Sequence, residues 1–309
     1  MSTSDDGTIR IWSAHTGEAL NVLQGHTSFV TSAAFSPDGT RILSSSWDGT
    51  LKVWDASETP ATAISTNHTD RVNSLVFSRD GQRVLSSSWD RTVKVWDTVS
   101  GTVQATLKAH TKSVSSAEFS PDGQRIISAS YDHTARLWDA TTGRESLSLI
   151  GHTASVSCAV YSPSAKHILT TSGDMTLKLW DAQSGSLFHS LAGHGGGIRH
   201  SQFSPDGHRI ISASADRTLK VWDTDTGTEL RTLRGHLAEV TCAAFHANGA
   251  EVVSCSLDHG LRLWDLAAGV CRVVFYADAR LWTCAWSPDG KYIVAGGDNG
   301  YIYWLRWVE

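Results

Sequence analysis

The chain has 309 residues, 40% of them apolar and only 18% charged, enough to bury a sizeable core. Its net charge of −5 at pH 7 argues against nucleic-acid binding, which normally needs a basic surface. No window approaches 18 consecutive apolar residues, and Met1–Asp6 has neither a basic start nor an apolar run. Neither a membrane span nor a signal peptide is therefore expected, and the expected location is cytoplasmic.

Taken in order, the chain opens on two β-rich runs, Asp6–Trp12 and Glu18–Leu23, which read as a third (c) and a fourth (d) strand. No first or second strand is expected before them. From Gly25-His26 a fuller unit begins, with strands expected at Phe29–Phe35, Arg41–Ser46, Thr50–Trp54 and Ala61–Ser65. The first pair is joined by Ser36-Pro37-Asp38-Gly39. There Pro presets φ for the second turn position, and Gly accepts the conformation that follows. The same turn recurs at Ser120–Gly123, Ser204–Gly207 and Ser287–Gly290, while Ser164-Ala165 is a weaker version. The final unit reads as Arg280–Trp286, Lys291–Ala295 and Tyr301–Leu305, with Asp298 and Trp304 as its turn Asp and strand-c Trp and no histidine.

Four residue types keep fixed offsets through these units. Around Asp48, His26 lies 22 residues before, Ser44 four before and Trp54 six after. The offsets return at His68, Ser86, Asp90, Trp96; at His110, Ser128, Asp132, Trp138; and at His152, Thr170, Asp174, Trp180. They continue at His194, Ser212, Asp216, Trp222 and at His236, Ser254, Asp258, Trp264. The period is 42 residues and does not slip across these six copies.

A fixed period of this length with Gly-His, Ser-Pro-Asp-Gly and Trp-Asp motifs resembles the WD40-repeat proteins over essentially the whole chain. The even period and the Gly-Gly-Asp-Asn-Gly segment near the end also resemble the propeller modules of bacterial and fungal signalling proteins, although no GxxxxGK[ST] segment is present. The resemblance implies an all-β fold, a seven-bladed β-propeller of four-stranded antiparallel blades, with residues 1–309 as one domain. The strands number one more c strand than seven blades need. An open ring would expose strand edges, so closure is expected, with 18–23 joining the C-terminal strands 280–305 and residues 1–12 displaced. The rival closure displaces Tyr301–Glu309. A monomeric ring is expected either way. By the same resemblance, each His, Ser/Thr, Asp and Trp set forms a hydrogen-bonded relay across its blade.

A Ser, a His and an Asp that meet in space also suit nucleophilic catalysis. Six equivalent copies point instead to a structural part, so no catalytic residue is assigned. The histidines show no HxH or HxxxH clustering, and the five cysteines show no CxxC spacing. No metal and no cofactor is expected, and the cysteines read as reduced, buried thiols that pack as small hydrophobes.

Partner binding is sought where the repeats differ. Trp47, Trp89 and Tyr131 immediately precede the turn Asp of their units. In the resembling family this position and two at the start of strand a face the wide top of the ring. Phe29, Arg71, Arg280 and Trp282 occupy such strand-a positions. If the ring closes as described, these seven residues form one aromatic and arginine-bearing sector. Trp, Tyr and Arg are enriched at binding hot spots, since they bury large area with few rotors and keep donors available. The sequence reading is therefore a non-catalytic scaffold or sensor module that binds a protein or peptide. The alternatives are a piece of a longer propeller array that assembles through its spare terminal strand, and a propeller enzyme.

Overall fold

Runs such as Arg125-Ile126-Ile127-Ser128-Ala129-Ser130 combine branched apolar residues with small hydroxylated ones. All but Arg125 are buried, as in a strand covered on both faces. A computed structural model describes residues 1–13, 16–56, 62–64 and 68–307. Among them every regular element is a strand, and the strands form eight antiparallel sheets.

The chain divides into two compact units, Met1–Gly151 with Ser155–Ala159, and His152–Ala154 with Val160–Glu309. In the first unit the opening sheet has three strands, Ser2–Thr3, Thr8–Trp12 and Ala19–Gln24. The second has four: Val30–Phe35, Arg41–Ser46, Leu51–Asp55 and Thr62–Ile64. Of the last strand's expected span, Ala61 and Ser65 lie outside the described residues. The third and fourth sheets run in the same a-b-c-d order, from Val72–Phe77 to Val103–Lys108 and from Val114–Phe119 to Glu145–Ile150. In the second unit the sixth and seventh sheets, from Ile198–Phe203 to Glu229–Arg234 and from Val240–Phe245 to Val270–Tyr276, repeat this order. The division falls in the fifth sheet, Val156–Tyr161 to Leu187–Ala192.

The core lies between successive sheets. In the first unit Trp138 packs with Leu85, Val95 and Leu107 of the preceding sheet and with Val114 and Ile126 of its own. An indole of this kind removes roughly 150–250 Å² from water, about 4–6 kcal/mol of apolar transfer before entropy is counted. Strand a carries a bulge near its start, as between Val30 and Ser32 or Val114 and Ser116. A bulge re-aims the extra side chain out of the ladder. Thr31 uses that direction to donate to the carbonyl of Val72 (2.8 Å), Asn73 to that of Val114 (2.7 Å), and Thr241 to that of Leu281 (2.8 Å). Each stitches one sheet to the next.

Three expectations need correction. The sheets number eight among the described residues, not seven, because 8–12 and 19–24 form a sheet with each other. Their connection is short, and closing a short loop between consecutive strands costs little entropy. Second, a strand does precede residue 8: Ser2–Thr3 pairs with Arg10 and Ile9, as Ser44 and Ser45 pair with Lys52 and Leu51.

The third correction concerns register in the last sheet, Leu281–Trp286, Tyr292–Gly297 and Ile302–Arg306. Ile293 pairs with Trp286 and Leu305, as Val252 pairs with Phe245 and Trp264. Leu305, not Trp304, therefore holds the position of the repeated Trp. Asn299 holds that of the turn Asp: its carboxamide oxygen accepts from the Tyr301 N–H as Asp258 accepts from Gly260. A shift of one residue keeps the six-residue offset but turns every side chain to the opposite face.

Candidate functional site

The six His sets have nearly one geometry. His Nδ1 lies 2.7–3.0 Å from the turn carboxylate: His26 to Asp48, His68 to Asp90, His110 to Asp132, His152 to Asp174, His194 to Asp216 and His236 to Asp258. Nε2 lies 2.7–2.8 Å from the hydroxyl of Ser44, Ser86, Ser128, Thr170, Ser212 or Ser254. The indole N–H of Trp54, Trp96, Trp138, Trp180, Trp222 or Trp264 donates to that same oxygen over 2.7–2.9 Å.

The direction of the chain follows from its fixed ends. An indole only donates and a carboxylate only accepts. The hydroxyl receives the indole N–H and gives its own hydrogen to Nε2, and Nδ1–H then donates to the carboxylate. Burial drives His26, His152 and His194 below their ordinary pKa, outweighing the pull of the paired Asp. Burial pushes the carboxylates the other way, yet hydrogen bonds win. With the Thr176 hydroxyl, His152 and the Thr153 N–H donating, Asp174 falls to about 2, and Asp216 does likewise through Thr218, Gly195 and His194. The six hydroxyls are fully buried beneath their Trp. Each oxygen is occupied by an indole donor, so it has no open approach for a substrate and its work is to hold three strands in register.

The opening sheet keeps part of this relay, with Trp12 donating to Ser2 Oγ over 2.9 Å. The last sheet keeps none, having Ala295, Asn299 and Leu305 at the Ser, Asp and Trp positions. The indole nitrogens of Trp286, Trp304 and Trp307 are buried without a hydrogen-bond acceptor among the described residues.

The variable positions assemble differently. In the first unit Phe29 and Trp47 lie with ring centroids 4.8 Å apart. The Arg71 guanidinium carbon sits 4.3 Å from the Trp47 centroid and 4.9 Å from that of Trp89. Four side chains thus form one stack, with the guanidinium between two indoles. Backbone bonds set it: the N–H of Trp47 donates to the Phe29 carbonyl and that of Trp89 to the Arg71 carbonyl, both over 2.9 Å. The Trp89 indole N–H donates to Asn73 Oδ1 over 2.8 Å, a partner the sequence reading did not assign. Phe29 and Trp89 each remain 37% exposed, so the stack is only half covered by its own members. Tyr131 is exposed and held by its N–H on the Ser113 carbonyl, but no ring contact joins it to the stack among the described residues.

Arg280 and Trp282 belong to the second unit. Arg280 Nε lies 4.0 Å from Asp298 Oδ2 with much of its side chain in solvent. Trp282 is the bulged residue between Leu281 and Thr283 and is 54% exposed.

The family model described as WD domain, G-beta repeat matches residues 17–55, 61–97, 101–139, 143–181, 185–223, 227–265 and 269–304. Among curated proteins the chain is similar to the nuclear distribution protein PAC1 of Arthroderma benhamiae and to that of Trichophyton verrucosum. Each is 48% identical over 44 residues, 14% of this chain. The chain spans only a tenth of the length of these relatives.

Proposed function

Since the chain belongs to the WD40-repeat family, a family of β-propeller proteins, we propose that it is a non-catalytic scaffold or sensor module that docks a protein or peptide segment. The observation that carries this reading is the half-exposed stack of Phe29, Trp47, Arg71 and Trp89. A guanidinium clamped between two indoles loses rotational freedom in advance, and its N–H edge stays in plane to meet a carboxylate or a carbonyl. Exposed indoles beside it supply area that a partner gains by covering. Tyr131 of the first unit, and Arg280 and Trp282 of the second, are further proposed docking residues. The short match to PAC1 brings no partner with it.

A seven-bladed ring, monomeric and cytoplasmic and closed by 18–23 on 280–305, is part of the same proposal, and it requires 19–24 to give up the pairing it makes with 8–12. A chain lacking residues 1–12 that keeps its melting temperature and monomeric size supports that closure, and one that unfolds or associates opposes it.

Docking is tested by comparing parent and Trp47→Ala/Trp89→Ala chains, matched in melting temperature, for capture of proteins from the source cell's lysate and for binding to arrays of acidic and neutral peptides. Loss of the same ligands in both formats locates docking at the stack. Unchanged binding removes the stack from the site.

A further inference from the structure

Three of the five cysteines, which follow no spacing pattern in sequence, meet inside the second unit. Cys242 and Cys255 are paired residues on neighbouring strands of the seventh sheet, and Cys284 lies on strand a of the eighth. All three are buried in one cluster with Val253, Leu281 and Ile293. Cys284 Sγ lies 3.9 Å from the Val253 carbonyl. Cys242 Sγ also lies 3.6 Å from the Cys284 carbonyl, and Cys284 Sγ 3.8 Å from that of Cys242.

The repeats supply an internal gauge of this geometry. Ser74 and Ser87, which stand where Cys242 and Cys255 stand, hold their hydroxyls 2.7 Å apart. Thr171 and Ser201, at the positions of Cys255 and Cys284, hold theirs 2.5 Å apart across two sheets. Side chains at both kinds of position therefore reach hydrogen-bonding contact with one another. In the seventh and eighth sheets the two pairs are superimposed, with Cys255 as the shared member.

We infer that Cys242, Cys255 and Cys284 form an oxidation site in which a peroxide converts two of the three thiols to a disulfide while the third remains able to exchange with it. One thiolate sulfur bonds to an oxygen of hydrogen peroxide, breaking the O–O bond. The departing oxygen leaves as hydroxide and takes a proton to become water. A neighbouring sulfur then displaces the sulfenic oxygen, which leaves as a second water. Two thiols and one peroxide give one disulfide and two waters, and the two electrons lost by sulfur are gained by oxygen.

Cys242 is the point of entry. It is the most accessible of the three, although still buried. The neighbouring thiols of Cys255 and Cys284 hold its thiol below the ordinary range against the effect of burial, with His200 adding to this. His200 Nδ1 is itself buried with no hydrogen-bond partner among the described residues. A thiolate is the reactive form toward peroxide. Exchange by the third thiol passes the bond between partners. A Cys255–Cys284 bond ties the eighth sheet to the seventh, whereas a Cys242–Cys255 bond joins two strands already paired.

The test uses the intact reduced chain, treated with hydrogen peroxide while folded, quenched, then unfolded for thiol counting and peptide mapping. The five titratable thiols should fall to three, with the disulfide mapped within the trio and reversed by dithiothreitol. A Cys158→Ser/Cys271→Ser chain should still lose two thiols. A Cys242→Ser/Cys284→Ala chain should lose none; Ser74 and Ala243 already occupy the equivalent positions, so folding is expected to persist. Retention of all five thiols, a disulfide that includes Cys158 or Cys271, or sulfinic acid without a disulfide each overturns the inference.

Discussion

Replacing His110 by Ala isolates what one relay contributes. The imidazole is essentially buried, so its removal exposes little to solvent and the loss is internal. Two hydrogen bonds go: Nδ1–H to Asp132 at 2.8 Å and the Ser128 hydroxyl to Nε2 at 2.8 Å. The first is made to a charged acceptor and contributes about 1.5–3 kcal/mol, the second about 0.5–1.5 kcal/mol. The survivors are not orphaned. Asp132 keeps the N–H of Thr111 and both donors of Thr134, and Ser128 keeps the Trp138 indole and has the Arg136 carbonyl at 3.4 Å. The penalty of an unpaired buried charge is thus avoided, while the vacated imidazole volume adds a cavity cost. The expected total is about 3–5 kcal/mol. Urea unfolding at unchanged slope reads it as a lower midpoint. His194→Ala, in the second unit, should cost nearly the same, and the exposed His208→Ala should stay within about 0.5 kcal/mol of the parent. A His110→Ala loss below about 1 kcal/mol would show that the relay does not support the sheet and refute the reasoning.

Acid should unfold the chain in two stages. His26, His152 and His194 have folded pKa values below the ordinary 6.5, so from pH 6.5 downward the unfolded chain binds more protons and stability declines. Below 3.8 the unfolded carboxylates protonate while folded Asp174 and Asp216 stay charged to about 2, which steepens the decline; a urea midpoint that is flat from pH 7 to 4 contradicts this. Ala165, at φ +57°, stands where the other turns place a glycine, so Ala165→Gly should raise stability by about 0.5–1 kcal/mol in thermal melts. Asn73→Ala removes the bond to the Val114 carbonyl and the acceptor for the Trp89 indole, and should cost about 1–2 kcal/mol by urea unfolding. If it costs nothing, the Asn73 stitch has no structural weight.

The relays were legible because their chemistry is locked to the period. Each needs a donor-only indole, a hydroxyl, an imidazole and a carboxylate at fixed strand positions, and any slip leaves buried polar atoms unpaired. The last sheet was misread for the complementary reason. With no relay to anchor the register, Asp298 and Trp304 mimic an offset that Asn299 and Leu305 also satisfy. The opening sheet was partly missed because Ser2–Thr3 is too short to show alternation, although Ser2-Thr3-Ser4 stands one period before Ser44-Ser45-Ser46. The thiol trio was invisible in sequence because Cys242, Cys255 and Cys284 come from different strands, and only sheet pairing and sheet stacking bring them together.

The stack lies where folding leaves the choice of residue open. At the position before the turn Asp the backbone has one task, to send its N–H to the strand-a carbonyl. Trp47, Trp89 and Tyr131 meet it at 2.9–3.0 Å, and so do Ala215, Leu257 and Asp298. A methyl, an aliphatic chain, a carboxylate and three large aromatics all satisfy the same backbone requirement, so pairing of the strands does not explain the aromatics. Scaffold packing does not select them either, since Trp89 and Tyr131 stay more than a third exposed. What selects a residue at such a position is what it presents to solvent, and here that is a guanidinium held between two indoles. The periodic positions report the fold, and the positions free of the period are where recognition is best sought.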